Sequence, residues 1–182
     1  IKLRHICVFS IQKLMKSKKN LVFLGMMGSG KSSIGLIISK KLGVDFIDID
    51  QEIEKKLGMK ISNIFKKKGE KYFRDMEEVI TLNSLKKNNI VISLGGGAFL
   101  NNKNEILENH ISFWLSWNTK TLIDRIRFSQ KRPIAFSSSK NELIKLIKKR
   151  SIIYSKAMYK IDCENLTKSE IAENVLKIYE AN

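Results

Sequence analysis

Residues 25–32 read Gly25-Met26-Met27-Gly28-Ser29-Gly30-Lys31-Ser32. They satisfy the template G-x-x-x-x-G-K-[ST] at every fixed position. This constrains the fold because the loop works only between a strand and the N-terminus of a helix. The flanks comply: residues 21–24 are a short apolar run of strand type, and Ile34, Ile37, Ile38 and Leu42 follow at helical spacing. Glycines let successive backbone N–H groups turn inward around a phosphate, and the helix N-terminus adds a favourable dipole. Gly28, Ser29, Gly30, Lys31, Ser32 and Ser33 are the candidate cradle of a nucleoside triphosphate. Lys31 would reach the β- and γ-phosphates, and the Ser32 hydroxyl would ligate Mg²⁺.

Apolar, β-rich runs recur at 44–49, 90–94, 111–115 and 159–162. Helical patterns fill the gaps at 51–57, 61–65, 70–85, 119–128 and 143–154. Thr167-Lys168-Ser169-Glu170 is a capping box opening a last helix. Strands alternating with helices predict an α/β fold with a parallel sheet covered on both faces, whose ligands bind beyond the carboxyl ends of the strands. At 182 residues, with no repeat and no linker, the expectation is one domain over 20–182. Residues 1–19 are basic and lack acids; they are read as an accessory extension without assigned function.

Other classes of function are less favoured. The net charge of +16 could serve nucleic acid, but the lysines are spread over the chain with no aromatic-interleaved stripe. A solvated lysine surface, useful for attracting anionic substrates, is the preferred reading. No apolar run approaches the roughly 20 residues of a membrane span. Cys7 and Cys163 form no metal-ligand cluster, and His5 and His110 have no partner at ligand spacing. A reducing cytoplasm is the simplest setting.

Three further segments carry chemistry. Ile47-Asp48-Ile49-Asp50 ends the second apolar run. Residues two apart on a strand share a face, so both carboxylates would point into the crevice beside the phosphate loop. One would serve a metal and the other a substrate hydroxyl; alternatively Asp50 caps a helix starting at Gln51. Phe73-Arg74-Asp75-Met76-Glu77 puts Arg74 and Glu77 on one helix face, suited either to bidentate recognition of a carboxylate or to an exposed ion pair. Gly95-Gly96-Gly97 follows the third strand and permits close approach of backbone to ligand. Residues 129–140 hold Arg132 and the single proline, Pro133; they read as a mobile lid or a plain connection.

In this order the pieces resemble the shikimate kinase family. The resemblance rests on the phosphate loop, Asp48-Ile49-Asp50, Phe73-Arg74-Asp75-Met76-Glu77, Gly95-Gly96-Gly97, Arg132-Pro133, and Arg150 with Tyr154 four residues on. It covers about residues 20–180 and implies a nucleoside-monophosphate-kinase-like fold, a three-layer αβα P-loop NTPase architecture with a five-stranded parallel sheet and a mobile lid. The implied reaction passes the ATP γ-phosphoryl group to the 3-hydroxyl of shikimate, in chorismate and aromatic amino-acid biosynthesis. The resemblance assigns Lys31, Asp50 and Arg132 to catalysis. It assigns Asp50, Arg74, Gly95, Gly96, Gly97 and Arg150 to the acceptor, within a region about 50–85 and beyond. Ser32 and Asp48 go to Mg²⁺, and Arg125, with Arg127 competing, to the adenine side. A cytoplasmic monomer binding small molecules, with neither nucleic acid nor membrane, is implied. Another small-metabolite kinase, such as one acting on gluconate, or a nucleotide-dependent nucleic-acid-binding protein are the alternatives.

Overall fold

The computed structural model describes residues 19–127 and 139–181. The chain runs β1 (Leu21–Leu24), α1 (Lys31–Leu42), β2 (Phe46–Asp48), α2 (Ile49–Leu57) and α3 (Ile61–Leu85). It continues through β3 (Val91–Ser93), α4 (Ala98–Asn101), α5 (Lys103–Asn109), β4 (Ile111–Ser116) and α6 (Thr119–Arg127). After the undescribed stretch come α7 (Lys140–Tyr154), β5 (Tyr159–Asp162) and α8 (Lys168–Ala181). The five strands form one sheet in the order β2-β3-β1-β4-β5, and every pairing is parallel.

The central strand explains its own sequence. Leu21, Val22, Phe23 and Leu24 are all buried. Val22 and Leu24 join the core beneath α2, α3, α6 and α7, whereas Leu21 and Phe23 join the opposite core beneath α1 and α8. A parallel strand covered on both faces has no solvent side to mark with polar residues, so it reads as an unbroken apolar run. On the second face, Gly35 inside α1 is explained by packing, since a Cβ there would come within 2.6 Å of the Phe46 ring.

The structure moves several boundaries. The second strand ends at Asp48, and Asp48, with backbone angles of −103° and 115°, is the N-cap of α2. Its Oδ1 accepts from the Gln51 N–H over 3.2 Å. Asp50 therefore lies in the first turn of a helix, neither on an extended strand nor at a cap. A Ser/Asp-type residue followed by acids favours helix initiation, and that local preference overrides the apolar alternation. The helices expected at 61–65 and 70–85 do form as two, meeting within α3 at a kink at Gly69, whose φ of 82° and ψ of 170° leave the helical region. Neither short helix between β3 and β4 was expected. The lid expected at 129–140 lies outside the described residues up to 138. Its last two residues belong instead to α7: Ser139 is the N-cap, in a full capping box with Glu142, and Lys140 opens the helix. The C-terminal capping box forms as expected, Glu170 N–H donating to Thr167 Oγ1 and Thr167 N–H to Glu170 Oε2.

Candidate active site

The chain leaves β1 toward β2 and β3 on one side and later reaches β4 and β5 on the other, so the carboxyl end of β1 is where the order reverses. A cleft of about 390 Å³ opens there. Met27 and Ser32 border it on the phosphate-loop side; Arg74 and Arg150 border it from α3 and α7. Asp48, Asp50, Gly96 and Gly97 lie between them. Lys31 sits at the floor of the loop, its ammonium donating to the carbonyls of Gly25 at 2.9 Å and Met26 at 3.1 Å. Gly28 and Gly30 adopt φ values of 80° and 94°, which only glycine takes without strain.

The cleft wall carries five carboxylates against two arginines. Three of the acids are committed. Glu77, with a side chain only 3% exposed, holds Arg74 Nη1 at 2.6 Å, and Glu70 accepts from the same guanidinium at 3.3 Å. Glu54 ties α2 to α3 by accepting from Lys60 Nζ and the Ile61 N–H. Burial alone would raise its pKa, but these two donors hold it below the ordinary glutamate range. Burial likewise works against the Arg74 charge, and Glu77 and Glu70 outweigh it, so its pKa is raised. Arg74 is thus fixed, charged and aimed into the cleft. Asp48 and Asp50 line the same cleft at its phosphate end.

The triple glycine serves space rather than conformation. A Cβ on Gly95 would overlap Glu77 Oε1 and lie 3.0 Å from Asp50 Oδ1. On Gly96 it would meet Arg150 Nη1 at 2.8 Å, and on Gly97 Arg74 Nη1 at 2.5 Å. Each glycine makes room for charged side chains of the cleft, Gly95 for Glu77 and Asp50, Gly96 for Arg150, and Gly97 for Arg74 and Glu77. The Tyr154 hydroxyl, buried at 2% exposure, donates to the Gly96 carbonyl. Burial raises the Tyr154 pKa, with Arg150 beside the hydroxyl opposing it. Tyr154 therefore fixes Gly96 and stands next to Arg150, one helical turn away.

The structure brings together Lys31, Ser32, Asp48, Asp50, Arg74, the three glycines and Arg150. Ser33 lies in the first turn of α1. Of the two arginines weighed for the adenine side, Arg125 reaches the loop, with Nη1 3.5 Å from the Gly28 carbonyl. Arg132 lies outside the described residues, as do His5 and Cys7. His110 is a core histidine: Nδ1 accepts from the Asn20 N–H. Cys163 is buried, and burial pushes its thiol pKa to about 12. No group of three or more metal-ligating side chains occurs among the described residues, nor is any described helix long and apolar enough to cross a membrane. Sequence reasoning missed Trp117, whose indole N–H donates to the Ser29 carbonyl over 2.9 Å. Its signal was its place, just past the carboxyl end of a strand paired with β1.

Comparison with known proteins agrees with this geometry. The family model described as shikimate kinase matches residues 27–180. A shikimate kinase of Thermodesulfovibrio yellowstonii is 41% identical over 165 residues, spanning 89% of this chain and 95% of that protein. One from Bacillus subtilis is 39% identical over 88% of each chain. Among solved structures, the shikimate kinase from Acinetobacter baumannii in complex with shikimate superposes with a TM-score of 0.86 at 28% identity, covering 93% of this chain and 97% of that one. A deoxyadenosine kinase from M. mycoides with bound dATP, at 21% identity and a TM-score of 0.58, shares the fold.

Proposed function

The chain belongs to the shikimate kinase family, and from that premise we propose how its residues divide the work of phosphorylating the 3-hydroxyl of shikimate with ATP. The observation that carries the reading is the convergence on one cleft of Arg74, Arg150 and Asp50 with Ser32 of the phosphate loop. It provides two cations for a carboxylate, an acid for hydroxyls, and the γ-phosphate position between them.

Phosphoryl transfer needs alignment and charge stabilisation more than covalent chemistry. Arg74 and Arg150 hold the shikimate carboxylate and so fix the ring. The Gly96 backbone contacts the ring while its carbonyl is held by Tyr154. Asp50 accepts from the ring hydroxyls and orients the nucleophilic oxygen toward the phosphate loop. In a largely dissociative transition state the hydroxyl proton leaves late, so Asp50 is an orienter and late proton acceptor rather than a strong base. Lys31 neutralises charge gathering on the transferring oxygens, and Arg132 shares that task.

The residues present fit Mg²⁺. The donors are oxygen only and sparse, Ser32 Oγ and the Asp48 carboxylate on one cleft wall. Mg²⁺ suits such a set because it keeps several waters and takes phosphate oxygens. When bound it neutralises β- and γ-phosphate charge. Asp48 and Ser32 would hold it, with Asp48 kept in place by its bond to the Gln51 N–H. The enzyme acts as a cytoplasmic monomer on this reading.

A coupled ADP-release assay with shikimate, gluconate or no acceptor tests the function. Shikimate should stimulate release many-fold over the other two arms. Equal release in all three refutes the reading.

A further inference from the structure

Trp117 follows β4, which pairs with β1 so that Leu24 stands opposite Trp114. The indole is therefore level with the phosphate loop. It makes two contacts of different kinds. Its Nε1–H donates to the Ser29 carbonyl over 2.9 Å, and the Arg125 guanidinium carbon lies 3.5 Å from its ring centroid. At that distance a guanidinium must lie nearly parallel to the ring, because any N–H pointing inward would collide with it. Arg125 also reaches the Gly28 carbonyl. A Cβ on Gly28 would touch Arg125 Cβ at 3.5 Å, so the loop rests directly on α6.

The neighbouring loop is tied to the same place. Glu164, after β5, accepts from the Asn118 N–H at 3.1 Å and from Thr121 Oγ1 at 2.6 Å. These bonds fix the start of α6, the helix that carries Arg125. Arg125 itself is exposed, so the guanidinium face turned from the indole is open to a flat ligand. Guanidinium planes stack on aromatic rings and on nucleobases alike. An unsupported surface arginine would lose rotamer freedom on such stacking, whereas the indole restricts it beforehand.

We propose that Trp117 is a positioning residue joining the two parts of nucleotide recognition: it holds the phosphate loop through Ser29 and restrains Arg125, the arginine that the family resemblance already assigns to the adenine side, flat against its ring. The inference rests on ATP being the phosphoryl donor. It assigns one side chain two separable effects, one felt by any polyphosphate and one only by a ligand with a base.

The test is calorimetric titration of ADP and of inorganic tripolyphosphate into the full chain and its variants. Trp117→Phe keeps a ring face and removes the N–H; it should weaken both ligands by the same factor, about 2- to 10-fold. Trp117→Leu also removes the face and should weaken ADP by a further factor of about 3 to 30 without further loss for tripolyphosphate. Arg125→Ala, at an exposed position, should reproduce the ADP-selective loss. A wild-type ratio of ADP to tripolyphosphate affinity in Trp117→Leu overturns the restraint of Arg125, as does an equal loss of both ligands in Arg125→Ala. Unchanged tripolyphosphate affinity in Trp117→Phe overturns the hold on the loop. If Trp117→Leu does not fold, the other two variants decide. Failure of the wild-type chain to bind ADP at all would instead refute the ATP reading.

Discussion

Gly95→Ala isolates the packing of the acceptor end from everything else. No φ in the positive region is involved at Gly95, so alanine meets no backbone penalty. The added methyl falls on Glu77 Oε1 and within 3.0 Å of Asp50 Oδ1. Glu77 cannot swing into water, being 3% exposed, and its other oxygen is bound to Arg74 at 2.6 Å. Breaking that pair would cost about 3–5 kcal/mol. Shifting the segment after β3 instead costs about 1–3 kcal/mol, as overpacking does, and is the cheaper route. For a chain of this size each kcal/mol lowers Tm by about 2–4 °C, so a fall of roughly 2–12 °C is expected. The shift carries Gly96 and Gly97 away from Arg150 and Arg74. A displacement near 1 Å costs about 10²-fold in rate, so kcat/KM for shikimate should fall by that order while ADP affinity is unchanged. Removing the obstructing oxygen as well, in Gly95→Ala with Glu77→Ala, should give a loss of stability smaller than the sum of the singles. The reasoning is refuted if Gly95→Ala keeps wild-type kcat/KM for shikimate, or if the double variant is strictly additive.

Three other outcomes are expected. Asp50→Asn should cut kcat severely while calorimetry still finds ADP bound; normal shikimate turnover would remove Asp50 from its role. Arg74→Ala should raise the KM for shikimate and, by stranding Glu77, lower stability by about 2 kcal/mol, a buried-pair figure discounted for the 26% exposure of Arg74. Adding Glu77→Gln should restore much of the stability and none of the affinity, which separates the two effects in melting and kinetic assays. Burial lowers the His110 pKa, assisted by Lys19 and opposed by Glu105. The unfolded chain then takes up this proton more readily than the folded one, so the contribution is complete above pH 6.5 and is lost as pH falls below it. Melting temperatures from pH 8 to 5.5 should fall at the acid end, and less so in His110→Gln.

Much of this fold is legible in the sequence because its signals are local. The phosphate loop, the five apolar runs and the capping box at Thr167 each depend on a few adjacent residues; the loop and the box form where expected, and each run holds a strand, the second only over Phe46–Asp48. What is lost lies at junctions where two local preferences compete. Asp48 and Asp50 alternate like strand residues, yet Asp48 is also a good N-cap, and the cap decides. The break at Gly69, by contrast, falls between two separately periodic stretches and is legible as two helices. The candidate site follows the same division. Arg74 and Glu77 are a helical pair visible in the sequence, but the burial that fixes Glu77 is not. Nor can spacing show that Gly95, Gly96 and Gly97 are needed by Glu77, Arg150 and Arg74, since those contacts close only when α3 and α7 pack on one face of the sheet. Trp117 and Arg125 meet Ser29 and Gly28 across nearly a hundred residues.

The hold of the loop carbonyls on Lys31 bears on where the work of ATP recognition is done. An alkylammonium is among the most strongly hydrated side-chain groups, and stripping its water is the chief obstacle to using it in a narrow site. Here Lys31 is 8% exposed and already donates to Gly25 and Met26, so its water is lost when the chain folds. On the role proposed for Lys31, a triphosphate would add anionic partners to these carbonyls with little hydration left to forfeit. The same ammonium braces the loop through those two carbonyls. On the proposed role, one side chain thus serves both as a strut of the loop and as a charge offered to phosphate.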